Sequence, residues 1–377
     1  SRKGCMCGRC WGVPAVSAMG NKVGGCLEGV TGSGAKGRAG KPGKKGFKVC
    51  VCGGSTKIGK PLCLLLALDP RVAELCIQDL AITMPPPDVL AEDLQHVGIR
   101  CKVKPYALEA IQRPVDHLRE CLTDCDLVIA CAGWPNNGRT HSDILKLNGS
   151  VAKNVVEACA LYCPAAIVGL IMNPLNSLVP AMAKLYEKAG LDPMKICGIT
   201  TLDVVRANKF VHIETGVPIE RVSVPVVGGH GGVSALPLFS QDPTAAKLTA
   251  VTQEALVRHV QEGGAEVMKE MLGKCGATLS QAYACSRFAQ AVLNGLGGTK
   301  TEECCFVKSS KCEGLDFFAS KVTFGPNGIE QVHPIGPLSK KEQELLVEVK
   351  KSLAADIEAG LKYAEGVELA KGGGDAR

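Results

Sequence analysis

The stretch Phe47-Lys48-Val49-Cys50-Val51-Cys52-Gly53-Gly54-Ser55-Thr56-Lys57-Ile58-Gly59 decides the fold of this chain. Its first six residues are a short β-prone apolar run, a glycine-rich turn follows, and a helical pattern occupies 61–67. Strand, glycine turn and helix in this order open a βαβ unit. A second strand at 74–78 ends in Asp79, and an acidic residue at that place strengthens the prediction of a dinucleotide site.

Further elements alternate along the first half of the chain. Strands are predicted at 127–130 and 166–172, with a helix at 146–163 between them. This alternation predicts an α/β fold with a doubly wound parallel sheet and helices on both faces.

The second half of the chain has a different pattern of predicted strands and long helices. Strands are expected at 222–227, 304–307 and 321–324, and long helices at 243–272 and 278–296. A last helix begins after Ser339, an N-cap with Glu342 three residues on. The predicted segments are therefore a basic Gly- and Cys-rich extension at 1–46, a dinucleotide-binding domain at 47–200, a second domain at 201–365 and a flexible tail at 366–377.

Composition places the chain among soluble globular proteins, since 46% of its residues are apolar and 21% are charged. No apolar run reaches the roughly 18 residues of a membrane span. The segment 1–46 holds nine Lys and Arg against Glu28 alone, which leaves 34 basic and 36 acidic residues elsewhere. The body therefore lacks the charge of a nucleic-acid-binding protein. The extension is suited to phosphates, anionic lipid or an acidic partner, and it also resembles part of an organelle-targeting leader.

Most of the 20 cysteines lie in apolar strand patterns, which is typical of small core side chains in a reducing compartment. The exceptions are weak candidates for a zinc site: Cys5, Cys7, Cys10 and Cys26. Their spacing does not match the paired C-x2-C pattern of common zinc sites. We therefore predict that these cysteines are free thiols and that no metal is bound, and a zinc site is the weaker alternative.

A histidine, a carboxylate and an arginine occur at suggestive spacing. His230 stands within Gly228-Gly229-His230-Gly231-Gly232, and Asp203 and Arg206 stand on a predicted helix before it. A carboxylate orients an imidazole for proton transfer, and an arginine holds an anion. The loop at 132–141 is expected to complete this site.

Four motifs share one resemblance: Asn173-Pro174-Leu175-Asn176-Ser177, 201–208, 225–230, and 277–280 with 282–284. With them the chain resembles NAD-dependent malate dehydrogenases of the mitochondrial, glyoxysomal and plastid type over 47–365. The resemblance implies the lactate/malate dehydrogenase fold, a Rossmann-type sheet plus an α+β catalytic domain. It also implies NAD as cofactor, a small 2-oxoacid substrate and a location in an organelle, the mitochondrion or plastid.

The resemblance also assigns roles. His230 becomes the proton donor and acceptor, Asp203 its partner, and Arg206 the group that grips the first substrate carboxylate. Asn173 positions the substrate beside the nicotinamide, and Asp79 binds the adenine ribose. The implied cofactor-binding set is Gly53, Thr56, Lys57, Ile58, Gly59, Asp79 and Asn148. Relatives pair through a helix that corresponds to 91–96, so a homodimer is implied.

Two departures from the family pattern bear on activity. Thr56 and Lys57 replace turn glycines, and a β-branched residue there threatens both conformation and clearance for the pyrophosphate. Asn136 and His141 stand where the family has two substrate-binding arginines, with one residue deleted between them. Arg139, or a protonated His141, is the candidate substitute.

Two hypotheses follow. One is a descendant with weakened or lost catalysis, kept as a subunit of an organellar assembly through residues 1–46. The other is a working NAD-dependent malate or related 2-hydroxyacid dehydrogenase.

Overall fold

Strands and helices alternate over the first half of the chain, and a strand-rich segment between long helices follows. The structure, a computed structural model, describes residues 46–109, 114–136, 138–272 and 276–369. Its strands are β1 Phe47–Cys52, β2 Val72–Leu80, β3 Lys102–Leu108, β4 Leu127–Ala130, β5 Ile167–Leu170, β6 Ile196–Gly198, β7 Val226–Gly228, β8 Ala235–Pro237, β9 Thr301–Lys308, β10 Phe317–Gly325 and β11 Gly328–Val332. Its helices are α1 Gly59–Ala67, α2 Pro87–Gln95, α3 Pro114–Leu122, α4 His141–Tyr162, α5 Leu175–Lys188, α6 Thr201–Thr215, α7 Ala250–Glu270, α8 Leu279–Leu296 and α9 Lys340–Glu365.

The strands of the described residues form one sheet of 11 strands, in the order β3-β2-β1-β4-β5-β6-β9-β10-β7-β8 with β11 paired to β10. Strands β1 to β6 are parallel, and the antiparallel part begins where Gly198 of β6 pairs with Phe306 of β9. The order 3-2-1-4-5-6 is that of the Rossmann fold. This confirms the predicted fold class, a doubly wound parallel sheet followed by an α+β segment.

Both faces of the parallel sheet are buried. Val49 and Val51 of β1 pack in one apolar cluster, while Cys50 and Cys52 pack in another on the opposite face. Side chains that alternate along a strand reach both faces, so each face needs a covering layer of helices. The cysteines among the described residues are all free and buried, as the sequence predicts.

The strand predicted at 222–227 is wrong in extent, because β7 begins only at Val226. The amide of Ser223 donates to Asp242 Oδ2 at 2.7 Å, and the amide of Val224 donates to Asn208 Oδ1 at 2.8 Å. Pro225 has no amide hydrogen to donate. Side chains have therefore taken the hydrogen bonds that a sheet ladder would use.

Helix boundaries also differ from prediction. Helix α7 starts at Ala250 rather than 243, because Asp242 Oδ1 accepts from the amides of Thr244 and Ala245 and holds a tighter turn there. The capping box of Ser339 and Glu342 at α9 is confirmed.

Some predictions fall on residues that the structure does not describe. These are the extension at 1–45 with its four cysteines, and the tail from 370 onward. Within the described ranges, no helix has both the length and the apolar content to cross a membrane.

Candidate active site

The glycine turn connects β1 to α1 and leaves no room for side chains at two positions. A Cβ on Gly59 would lie 2.1 Å from the Gly53 carbonyl oxygen. Gly53 has a φ of +95°, and a Cβ there would lie 2.3 Å from the Ala132 nitrogen. The turn therefore packs closely against the loop after β4. It opens at the carboxyl edge of the sheet between β1 and β4, where ligands of such sheets bind.

Thr56 completes this turn without strain. Asp124 and Leu272 are the residues other than glycine that have positive φ in the described part of the chain, so Thr56 keeps an ordinary backbone. Its hydroxyl donates to the Gly53 carbonyl at 2.7 Å and accepts from the Gly59 amide at 2.9 Å. The expectation that a β-branched residue would disturb the backbone is wrong. The side chain instead occupies one amide at the start of α1. Lys57 is exposed and Ile58 is half-buried beside it.

Asp79 lies at the carboxyl end of β2, next to the same turn. Its Oδ2 accepts from the Ser55 amide at 2.9 Å, and its Oδ1 accepts from the Leu80 amide at 2.8 Å. Burial raises the pKa of Asp79, while the two backbone hydrogen bonds act to lower it. The carboxylate is thus held in place beside the turn by main-chain donors.

Asn148 of α4 joins two loops at the carboxyl edge of the sheet. Its Oδ1 accepts from the Trp134 amide at 2.7 Å, and its Nδ2 donates to the carbonyls of Trp134 at 3.1 Å and Asn173 at 2.6 Å. The peptide bond from Asn173 to Pro174 is cis. Asn148 therefore bonds the main chain of the loops after β4 and β5, and it brings the predicted residue Asn173 to the same edge.

The predicted triad of His230, Asp203 and Arg206 is assembled. His230 Nδ1 lies 2.7 Å from Asp203 Oδ2, and Arg206 Nη1 lies 3.5 Å from Asp203 Oδ1. Asp203 is fully buried. Because Nδ1 carries the hydrogen bond to the carboxylate, Nε2 is the ring atom available to exchange a proton.

The charges around His230 favour its protonated form. Burial acts to lower the pKa of His230, but the attraction and hydrogen bond of Asp203 outweigh it and raise the pKa above 6.5. Burial likewise lowers the pKa of Arg206, with Asp203 and Glu266 opposing it. An arginine stays charged under such conditions. The site therefore places an imidazole that is able to exchange a proton beside one guanidinium that is able to bind a carboxylate.

Among the described residues of the loop after β4, no cation forms an ion pair with this triad. Arg139 Nη1 donates to the Pro135 carbonyl at 2.9 Å, so its guanidinium is bound to its own loop. Asn136 is exposed and accepts from the Arg139 amide through its carbonyl. His141 Nε2 lies 3.3 Å from Ser177 Oγ and 3.4 Å from Asp356 Oδ1. Arg139 and Asn136 therefore make their described contacts within the loop, and His141 makes its contacts with α5 and α9.

Two residues with no predicted role, Asn176 and Asp356, contact the segment that carries His230 or its neighbours. Asn176 Oδ1 accepts from the His230 amide at 2.9 Å, and Asn176 Nδ2 donates to Ser234 Oγ and Asp356 Oδ2. Asn176 belongs to the motif at 173–177, which was the only sequence signal for it. Nothing in the local sequence around Asp356 indicated this contact.

The described residues contain no group of three or more His, Cys, Asp or Glu side chains placed to hold a metal ion. The weak zinc candidates Cys5, Cys7, Cys10 and Cys26 lie outside those residues.

Comparison with known proteins gives consistent matches. A family model for the lactate/malate dehydrogenase NAD binding domain matches residues 47–198, and one for the alpha/beta C-terminal domain of the same family matches 200–364. Mitochondrial malate dehydrogenase 1 of Arabidopsis thaliana is 44% identical over 320 residues, which are 84% of this chain and 91% of that protein. Glyoxysomal malate dehydrogenase of Cucumis sativus is 42% identical over 329 residues, which are 86% of this chain and 89% of that protein.

Solved structures agree with these sequence matches. The malate dehydrogenase of Cryptosporidium parvum superposes with a TM-score of 0.70 at 27% identity, covering 85% of this chain and all of that one. The lactate dehydrogenase of Cryptosporidium parvum, solved with lactic acid and nicotinamide adenine dinucleotide, superposes with a TM-score of 0.71 at 25% identity, covering 85% and 98%.

Proposed function

The chain belongs to the lactate/malate dehydrogenase family, and from this premise we propose that it is an NAD-dependent 2-hydroxyacid dehydrogenase with reduced efficiency on oxaloacetate. The observation that carries the proposal is the assembled triad of His230, Asp203 and Arg206 beside a substrate loop that gives it no second cation.

The N-terminal half is an NAD-binding domain, and its residues fit that cofactor. Gly59 lies so close to Gly53 that a Cβ on Gly59 would overlap the Gly53 carbonyl oxygen, so the backbone of the turn is open to a close approach by a ligand. The amides at the start of α1 face the carboxyl edge of the sheet, where a pyrophosphate is stabilised by the helix N-terminus. Asp79 at the end of the neighbouring strand is the proposed ribose ligand, and Thr56, Lys57 and Ile58 are the proposed neighbours of the pyrophosphate.

Residues of this chain would transfer the proton of the reaction. NAD, when bound, accepts or supplies the hydride. In the oxidation direction, His230 takes the hydroxyl proton of the substrate at Nε2, while Asp203 stabilises the imidazolium that forms. Arg206 binds the carboxylate next to the reacting carbon with two parallel hydrogen bonds. Asn173, positioned through Asn148, is the proposed orienting group for the substrate.

The expected weakness lies at the second carboxylate of oxaloacetate. Asn136 and His141 replace two arginines of the family pattern, and each charged hydrogen bond is worth roughly 1.5 to 3 kcal/mol. Losing both costs about 3 to 6 kcal/mol, which is roughly two to four decades in kcat/KM.

Substrate choice tests this proposal. The full chain is expected to prefer oxaloacetate over the monocarboxylate pyruvate by less than about tenfold in kcat/KM, because no second cation binds the additional carboxylate of oxaloacetate. Steady-state assays with NADH give the ratio, and Arg139→Ala is the comparison variant. A preference near a thousandfold that is lost in Arg139→Ala would show that Arg139 replaces the missing arginine and would contradict the proposal.

Cofactor affinity should respond to the Thr56 hydroxyl. Thr56→Ala frees the Gly59 amide for a phosphate oxygen, so we expect NADH to bind about tenfold more tightly. Thr56→Ser keeps the hydroxyl and is the matched control, with unchanged binding. Fluorescence titration with NADH gives both dissociation constants. Equal affinity for Thr56→Ala and the parent chain would mean that the hydroxyl does not compete with the cofactor.

The second candidate function is that of a structural subunit with little or no turnover. The replaced loop arginines and the basic segment 1–46 favour it, because a charged glycine-rich segment gains order by pairing with an acidic surface. The body is proposed to pair as a homodimer through α2, unless an assembly covers that face. The mitochondrial and glyoxysomal relatives support an organellar location, and none of those named above is a plastid protein.

Removal of residues 1–46 tests the subunit hypothesis. The truncated body is expected to stay folded and to leave a larger organellar complex, because the removed segment carries the proposed contacts. Native size analysis of both forms gives the answer. A truncated chain that migrates in the same complex as the full chain, or a full chain that runs as a free dimer, would contradict it.

A further inference from the structure

Asp356 of α9 contacts two parts of the site with its two carboxylate oxygens. Its Oδ2 accepts a hydrogen bond from Asn176 Nδ2 at 3.1 Å, and its Oδ1 lies 3.4 Å from His141 Nε2. The side chain is 28% exposed, so its charge is partly shielded from solvent. No proposed step of the reaction uses this carboxylate.

The first contact leads to the catalytic histidine. Asn176 connects Asp356 to the segment of His230, because its Oδ1 accepts a hydrogen bond from the His230 amide at 2.9 Å. A Cβ on Gly229 would lie 2.6 Å from that same Oδ1, so the segment that carries His230 packs directly on Asn176. A shift of Asn176 therefore moves the main chain that aims the imidazole.

The second contact leads to the substrate loop. His141 is the first residue of α4, and the loop that begins after β4 ends there. Its Nε2 faces both Ser177 Oγ and Asp356 Oδ1, which attaches the end of the loop to α5 and α9. In the family pattern this position carries an arginine, so the contact of His141 with α9 is a feature of this chain's own sequence.

We propose that Asp356 is a positioning residue that couples the substrate loop to the orientation of His230. One carboxylate accepts a hydrogen bond from Asn176 and lies 3.4 Å from His141 Nε2, so a displacement of the loop at His141 is transmitted through Asp356 and Asn176 to the His230 amide. When the loop rearranges around a substrate, the orientation of the His230 imidazole then changes with it. The kinetic consequence rests on the proposed dehydrogenase function, whereas the mechanical coupling does not.

Hydrogen–deuterium exchange of the full chain, followed by mass spectrometry, tests the coupling without any need for activity. Asp356→Ala is expected to speed exchange a few-fold in two segments, 132–145 and 226–234. His141→Ala changes the loop side alone, and the coupling predicts faster exchange in 132–145 and, by a smaller factor, in 226–234. Unchanged exchange in 226–234 would mean that the two contacts are independent and would overturn the coupling. Glu358→Gln removes an exposed carboxylate from the same helix and should change neither segment. An Asp356→Ala variant that alters one segment alone would overturn the coupling.

Asp356→Asn keeps an oxygen for Asn176 and removes the charge that His141 faces. It is expected to speed exchange in 132–145 and, by a smaller factor than Asp356→Ala, in 226–234. This variant decides the question if Asp356→Ala does not fold, and unchanged exchange in both segments would overturn the proposal.

Kinetics supply the readout that a merely structural role would not give. Asp356→Ala is expected to lower kcat about tenfold and to leave the KM for NADH unchanged, because the cofactor turn is not part of the network. A parallel rise in the KM for NADH would contradict a positioning role. If the parent chain shows no turnover, the proposed function fails while the exchange result still decides the coupling.

Discussion

Restoring both loop arginines, with Asn136→Arg and His141→Arg together, is expected to raise kcat/KM for oxaloacetate by about two to four decades. Arg206 already binds one carboxylate, and the restored pair would bind the second and polarise the reacting carbonyl. The gain should be selective, since a monocarboxylate offers the new charges less to bind. Steady-state assays with oxaloacetate and pyruvate measure both effects.

The control for this gain is Ser142→Arg, which adds an exposed cation next to His141. It should leave kcat/KM nearly unchanged, because general attraction of the dianion is worth little at ordinary salt. If the double variant gains no more than this control, the missing arginines are not what limits the reaction.

Replacing Asp203 with asparagine is expected to lower kcat by about three decades, because the imidazole loses both the group that orients it and the charge that stabilises its protonated form. Glu214→Gln removes an exposed carboxylate from the same helix, α6, and should retain normal activity. A variant Asp203→Asn with near-parental turnover would mean that His230 is not the proton-exchanging group.

The same substitution should change the pH dependence in a defined direction. Asp203 raises the pKa of His230, and reduction of the 2-oxoacid needs the protonated ring. In Asp203→Asn that pKa falls, so the loss of reduction rate with rising pH should begin at lower pH. The pH profile of kcat/KM for reduction measures this shift.

Stability follows from the same linkage. Because the folded-state pKa of His230 lies above 6.5, its protonation contributes stability that is fully present below that pH. The contribution is lost as pH rises through the folded-state pKa. The stability deficit of Asp203→Asn should therefore be largest below about pH 6.5 and shrink as the pH rises through the folded-state pKa of His230, as denaturant unfolding would show.

Long-range polar contacts explain why the strand predicted at 222–227 is shorter in the structure. The apolar run at 222–227 has a strand pattern, yet Asn208 and Asp242 take its amides and only its end joins the sheet. Such side-chain partners come from other elements of the chain. Periodicity, which describes a segment by itself, carries no information about them.

The sequence by itself determined the dinucleotide-binding architecture, and its motifs indicated His230, Asp203 and Arg206 as candidate site residues. Glycines in a tight turn, strand periodicity and motif spacing are local requirements, so they are legible in the order of residues. Only the tertiary structure showed which groups the side chains that depart from the family pattern contact. Thr56 proves to be an unstrained partner of the Gly59 amide, and His141 faces Asp356 of a distant helix. These outcomes depend on which donors and acceptors packing brings within hydrogen-bonding distance, and Asn176 and Asp356 are 180 residues apart in the chain.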